Sequence, residues 1–176
     1  MICGPRRGMV ATVPDNDQSQ PKPVELPEVR DLAVWLLPLS MTALAYAGNL
    51  EFGFLGDARF LIEHNTYLDD AATAWGQLTN DYFWSSSGNT IPYWRPLTKL
   101  SWLVETQLLG KSPAAFHAVQ ISWHLVTVVL AMALARTLGA SRAAGTVCGV
   151  LVGLSPASVE PVSLLMARSD VMAAAG

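Results

Sequence analysis

Charge is scarce in this sequence. Asp, Glu, Lys and Arg make up 14% of the 176 residues, against about 25% in an average soluble domain. A mean hydropathy of +0.31 points the same way. There is no basic surplus either: the net charge of −3 has the wrong sign for a nucleic-acid partner. Cysteine is limited to Cys3 and Cys148. One lies in a polar tail and the other in an apolar run, so they build no disulfide framework. A secretory signal is also missing, because the first apolar segment starts too late and no small-residue cleavage site follows it.

What is present is a series of long apolar runs. Residues 1–30 come before them and contain Pro14, Pro21, Pro23 and Pro27 among Asp, Asn, Gln and Lys, with no apolar period. That composition predicts a disordered tail. Residues 32–50 carry no charge; a helix of that length reaches about 30 Å, one bilayer core. Pro38 inside it is a kink that membrane helices tolerate. Further spans are predicted at 114–138 and 143–159, with a fourth beginning near Val171. The third carries Gly145, Gly149 and Gly153, which allow close helix packing. The sequence closes on apolar residues up to Gly176, with neither a basic flank nor a polar tail. It therefore reads as a piece of a longer membrane protein. The predicted fold class is all-α, a polytopic transmembrane helix bundle in the lipid bilayer.

Between the first two spans lies a connection at 51–111 with seven acids and four basic residues. Trp75, Tyr82, Trp84, Tyr93 and Trp94 suit the headgroup region. Leu68, Ala71, Ala72, Trp75, Leu78 and Tyr82 recur at helical spacing and predict a helix along the membrane surface. A second amphipathic helix is predicted from Pro96 to about Leu109, with Gly110 as its stop. The tail and the 136–142 loop hold Arg6, Arg7, Lys22, Arg30, Arg136 and Arg142, whereas the 51–111 connection is net acidic. By the positive-inside rule the tail is cytoplasmic. The 51–111 connection and the 155–170 turn then share the opposite, extracytoplasmic face, periplasmic if the protein is bacterial.

Candidate chemistry lies on or near that face: Asp57 just past the first run, Asp81 in TNDYFW, Arg95 in PYWRPLTKL, and Glu160, Arg168 and Asp170 in the turn after the third span. His124 lies within the second. Acids at the mouth of a helix bundle are partly desolvated and poised for proton transfer, and arginine forks suit phosphate. Each residue also has a plain reading. Asp57 fits a solvated loop acid, Asp81 a helix cap and Arg95 a snorkelling cation. Glu160 and Arg168 fit an interfacial ion pair, His124 a packing residue, and Asp69 and Asp70 a solvated helix face.

The order of motifs resembles the N-terminal membrane region of the tetratricopeptide-repeat-linked transmembrane O-mannosyltransferases, a GT-C family with bacterial relatives. The family's F-x-x-D-D element with a following Ile and Asn corresponds to Phe54, Asp57, Ala58, Ile62 and Asn65. Asp81 with its aromatics comes next, then Trp94-Arg95-Pro96-Leu97-Thr98 in place of Y-R-P-L-T. Phe116-His117 with Gln120 and His124 stands for Y-H-x-x-N-x-x-x-H. Ser155-Pro156 with Glu160, then Arg168-Ser169-Asp170, stands for H-P-x-H-T-E…G-R-A-D. The resemblance covers roughly 32–176. It implies a GT-C glycosyltransferase that takes its sugar from a polyprenyl-phosphate carrier and delivers it to a protein or glycan hydroxyl. It implies Asp57 as the catalytic residue, a base or an acceptor-binding acid, with Asp81, Arg95, His124, Glu160, Arg168 and Asp170 as substrate-binding or framework residues. Two departures stand out: Ala58 replaces the second acid, and Ser155 and Ser158 replace two histidines. One carboxylate rarely holds a hard cation by itself, so no cofactor is assigned and a divalent metal is disfavoured. The same loss leaves open an anchor without activity, holding a downstream tetratricopeptide-repeat domain for protein partners.

Overall fold

The structure is a computed structural model and describes residues 29–81 and 93–176, with the side chains of the first helix from 34 onward. The tail predicted to be disordered, up to residue 28, and Tyr82 and Trp84 fall outside the described residues. Seven α-helices and no strands occur among the residues described. Helix α1 spans Val29–Tyr46 and runs into a 3-10 turn at Ala47–Glu51. Short turns lead from there to α2 (Ala74–Thr79) and α3 (Pro96–Leu109). Then follow α4 (Pro113–Thr137), α5 (Arg142–Gly153), α6 (Pro156–Ser163) and α7 (Arg168–Ala175).

Helix α4 is long and apolar enough to cross a membrane. Among the described residues it alone meets that test as a single helix, where sequence predicts three spans. The first run falls short because its helix takes in Arg30 and Asp31 and ends at Tyr46. The third predicted span is broken. Pro156 disfavours helical backbone at the residue before it, and the Ser155 hydroxyl caps the new helix by accepting from the Ala157 N–H. As a result α5 and α6 meet at a 54° bend. The predicted polar turn after 155 is therefore mostly helical.

Helices α1, α4 and α5 pack closely because α5 presents glycine to both neighbours. A Cβ on Gly149 would lie 2.6 Å from the Met132 sulfur and 3.1 Å from Pro38, and one on Gly153 would collide with Thr42. Large apolar side chains face outward from this bundle, and its interior mixes polar side chains with Tyr46, Phe116, Ile121, Val128 and Met132. Thr42, Gln120 and His124 are buried, while Leu36, Leu44, Leu134, Val147 and Leu151 are exposed. The His124 ring shares a 3.1 Å hydrogen bond with the Gly153 carbonyl and meets the Tyr46 ring edge-on.

The first connection is not a long surface helix. Asn65 and Asp70 each accept a backbone N–H two residues on, from Tyr67 and Ala72, and so break it into short turns. Asp69 pairs with Lys111 at 2.9 Å. Helix α3 keeps the predicted bounds: proline opens it, and Gly110 ends it at φ 68°, where a side chain would be strained. Phe54, Ala58, Leu61, Ile62 and Leu68 pack against Trp102 and Leu103 of α3, Phe116 of α4 and Leu165. This apolar cluster seats the first connection on the bundle.

Candidate functional site

Asp57 stands at the start of a tight turn. Its carbonyl accepts the N–H groups of Phe60 at 3.0 Å and Leu61 at 2.8 Å. Gly56 precedes it at φ 55°, a conformation that costs glycine little. The Asp57 residue is half-buried. Ala58 points the other way and is 2% exposed within the apolar cluster. The two positions of the acid pair thus differ in environment: one reaches the surface and the other is core. Among the described residues no three His, Cys, Asp or Glu side chains gather to hold a metal ion.

Arg168 is the best-held charge in the molecule. It is fully buried at the first turn of α7. Its Nη1 pairs with the Glu105 carboxylate of α3 in a very short contact. Its Nε donates to Gln120 Oε1 at 2.7 Å, its Nη2 to the Phe116 carbonyl at 3.1 Å, and its Nη1 also to Ser101 Oγ at 3.4 Å. The guanidinium therefore ties α3, α4 and α7 together. Glu105 is 6% exposed. Burial pushes its carboxyl pKa up, and the Arg168 charge draws it back down. The sequence suggested Glu160 as the partner of Arg168, but Glu160 is exposed on α6. One signal for Glu105 was available: it is an acid inside the apolar stretch from Leu100 to Leu109.

Lys99 forms a second buried cation, 2% exposed. Its Nζ donates to the carbonyls of Asn80 at 3.0 Å and Asp81 at 2.8 Å. Burial lowers its pKa to about 8, opposed by the Asp81 charge. Arg95, at the N-terminal end of the same helix, donates to the Met166 carbonyl at 3.3 Å and lies over the Tyr93 ring. Thus Arg95 at the start of α3, with Lys99 and Glu105 within it, fastens the first connection, the Met166 backbone and the first turn of α7 to one helix. Asp81 and Arg95 join this group. Glu160 stands apart on the exposed face of α6. Asp170 is also exposed and accepts from the Ser169 hydroxyl at 3.2 Å. His124 sits deep among α1, α4 and α5 rather than at the surface.

The chain is 31% identical over 145 residues to "Protein O-mannosyl-transferase Tmtc1" of Drosophila melanogaster, covering 81% of this chain. It is 31% identical over 136 residues, 75% of the chain, to "Protein O-mannosyl-transferase TMTC1" of Homo sapiens. With Drosophila "Protein O-mannosyl-transferase Tmtc2" the identity is 30% over 138 residues. The chain belongs to the TMTC O-mannosyl-transferase family. It spans only 15–17% of the length of these curated relatives. No family model matches the chain, and no solved structure does. Membership agrees with the motif order around Asp57, Arg95, Glu160 and Arg168.

Proposed function

We propose that this chain is the N-terminal membrane region of a GT-C glycosyltransferase. It serves to move a sugar from a polyprenyl-phosphate carrier to a protein or glycan hydroxyl on the non-cytoplasmic face. The relatives' printed names supply the sugar class, mannose. The observation that carries the reading is the split at 57–58. Asp57 stands half-buried on a turn fixed by its own carbonyl, beside an apolar core that holds the turn in place. A lipid phosphate leaves readily, so the acid has only to orient the acceptor hydroxyl or take its proton. Asp81, Arg95, His124, Glu160, Arg168 and Asp170 are assigned as substrate-binding or framework residues.

The membrane reading is supported by the length and apolar character of α4 and by the apolar side chains exposed on α1, α4 and α5. Their exposed leucines and valines suit lipid, and α5 with α6 forms a broken crossing. Helix α5 by itself, at about 1.5 Å per residue, is too short for a bilayer. Arg136 and Arg142 support a cytoplasmic position for the loop after α4, together with the tail.

Asp57→Asn in the full-length protein, assayed for mannosyl transfer, tests the chemistry. A loss of about a hundredfold or more is expected for a general base. Unchanged turnover removes Asp57 from the mechanism. A second reading, a membrane anchor without activity for a downstream repeat domain, has one observation in its favour: the second acid's place is filled by a core alanine. Transfer by the unmodified full-length protein rules it out.

A further inference from the structure

The turn after Asp57 has an unusual backbone. Residues Arg59–Glu63 form a π-helical turn, closed by the His64 N–H donating to the Arg59 carbonyl at 2.8 Å. In an α-helix, residues five apart diverge by about 140° around the axis. The wider π turn brings such residues back toward one side, and it recurs at functional sites. Here it divides the segment cleanly. Ala58, Leu61 and Ile62 are buried, while Arg59, Phe60, Glu63 and His64 are exposed.

Arg59, Glu63 and His64 line one open cleft of ≈ 430 Å³ together with Phe54, Leu55 and Pro113. That size lies within the range of ligand sites, which pair apolar walls with a few placed polar groups. The Arg59 side chain is aimed by its Nε bond to the Phe54 carbonyl at 3.0 Å. The cleft lies on the same turn as Asp57, yet Asp57 does not line it. One cation, one anion and an imidazole offer both donors and acceptors without a large net charge. An apolar wall of Phe54, Leu55 and Pro113 faces them.

We propose that this cleft binds the acceptor polypeptide, an extended hydroxyl-bearing segment that it presents to Asp57. The assignment rests on the glycosyltransferase reading above. A peptide backbone matches the mixed donors and acceptors, and its side chains cover the apolar wall. A phosphate-linked donor would call for a net cationic pocket, which Glu63 denies. Arg59 and Glu63 hold the peptide amides, and His64 closes the end of the cleft.

The test is fluorescence anisotropy of a short fluorescein-labelled threonine-rich peptide with the detergent-solubilised full-length protein. Arg59→Ala and Glu63→Ala should each weaken binding about tenfold, the scale of one charge-assisted hydrogen bond. Asp57→Asn should leave peptide affinity within about twofold while transfer falls. A control peptide with valine at every threonine should bind about as well, because the cleft holds backbone amides and apolar side chains, but should accept no sugar. Wild-type affinity in both cleft variants, or no binding of the peptide to the unmodified protein, overturns the proposal whatever Asp57 does. Displacement of the peptide by methyl mannoside assigns the cleft to the sugar and also overturns it. Loss of peptide binding in the cleft variants with normal transfer by Asp57→Asn leaves the cleft standing and removes the acid instead.

Discussion

Arg168 and Lys99 are both buried cations, yet they have opposite consequences. Arg168 has a carboxylate, an amide, a hydroxyl and a carbonyl around it. Removing it strands the Glu105 charge in the core. Arg168→Met should cost about 3–5 kcal/mol, read as loss of folded, monodisperse full-length protein in detergent and a lower unfolding midpoint. Replacing both partners, Arg168→Met with Glu105→Leu, should recover much of that, because no charge is then left unpaired. Lys99 instead has two backbone carbonyls and a pKa lowered to about 8. Its unfolded value is near 10.5. Between these values the unfolded chain binds the extra proton, so the Lys99 contribution to stability rises with pH through that window and fades as pH falls toward 8. A stability profile against pH should show this rise in the unmodified protein and lack it in Lys99→Met. An identical slope in the two would contradict the assignment.

At the scale of elements, glycines and prolines carry the fold. Gly149 and Gly153 let α5 lie against Pro38 and Thr42 of α1. Gly149→Val should force these helices apart at a cost of about 1–3 kcal/mol, measured as a lower aggregation temperature. Gly48→Ala, where nothing lies within 4 Å of the added carbon, should change it little. These elements also show what sequence could reveal. Helices α3 and α4 were legible from Pro96, Gly110 and an unbroken apolar run. The glycine face of α5 was legible from its spacing. The surface helix predicted through Leu68 and Trp75 forms only over 71–79, because the Asp70 side chain caps the chain there and competes with helical bonds before it, which apolar spacing does not register. Asp57, Arg95 and Arg168 were singled out by motif order alone. The partnership of Arg168 with Glu105 was not, because it joins residues far apart in the chain and periodicity reports only near neighbours.

For the whole molecule, the clearest expectation concerns sidedness. Ala140→Cys lies in the loop between α4 and α5, and Lys111→Cys lies just before α4. In sealed cells expressing a full-length protein without its native cysteines, a membrane-impermeant maleimide should label the second and spare the first. Labelling of both from outside would remove α4 as a crossing. The outward-facing leucines and valines of the bundle belong to this scale too: they are a liability in water and suited to lipid.

The Arg168 junction also bears on the order in which the chain is made. Ser101 and Glu105 leave the ribosome well before residue 168, with α4, α5 and α6 in between. Until α7 arrives, α3 carries an acid with no counter-charge, and a buried acid of that kind takes up a proton or stays in water. Helix α3 therefore either seats with Glu105 protonated or waits in water while three helices are synthesised, and the ionised pair that locks it down forms only with Arg168. The wall that Trp102 and Leu103 give to the turn bearing Asp57 is locked with it. Final locking of the candidate site is thus a late event in biogenesis, although nearly all of its residues are made early.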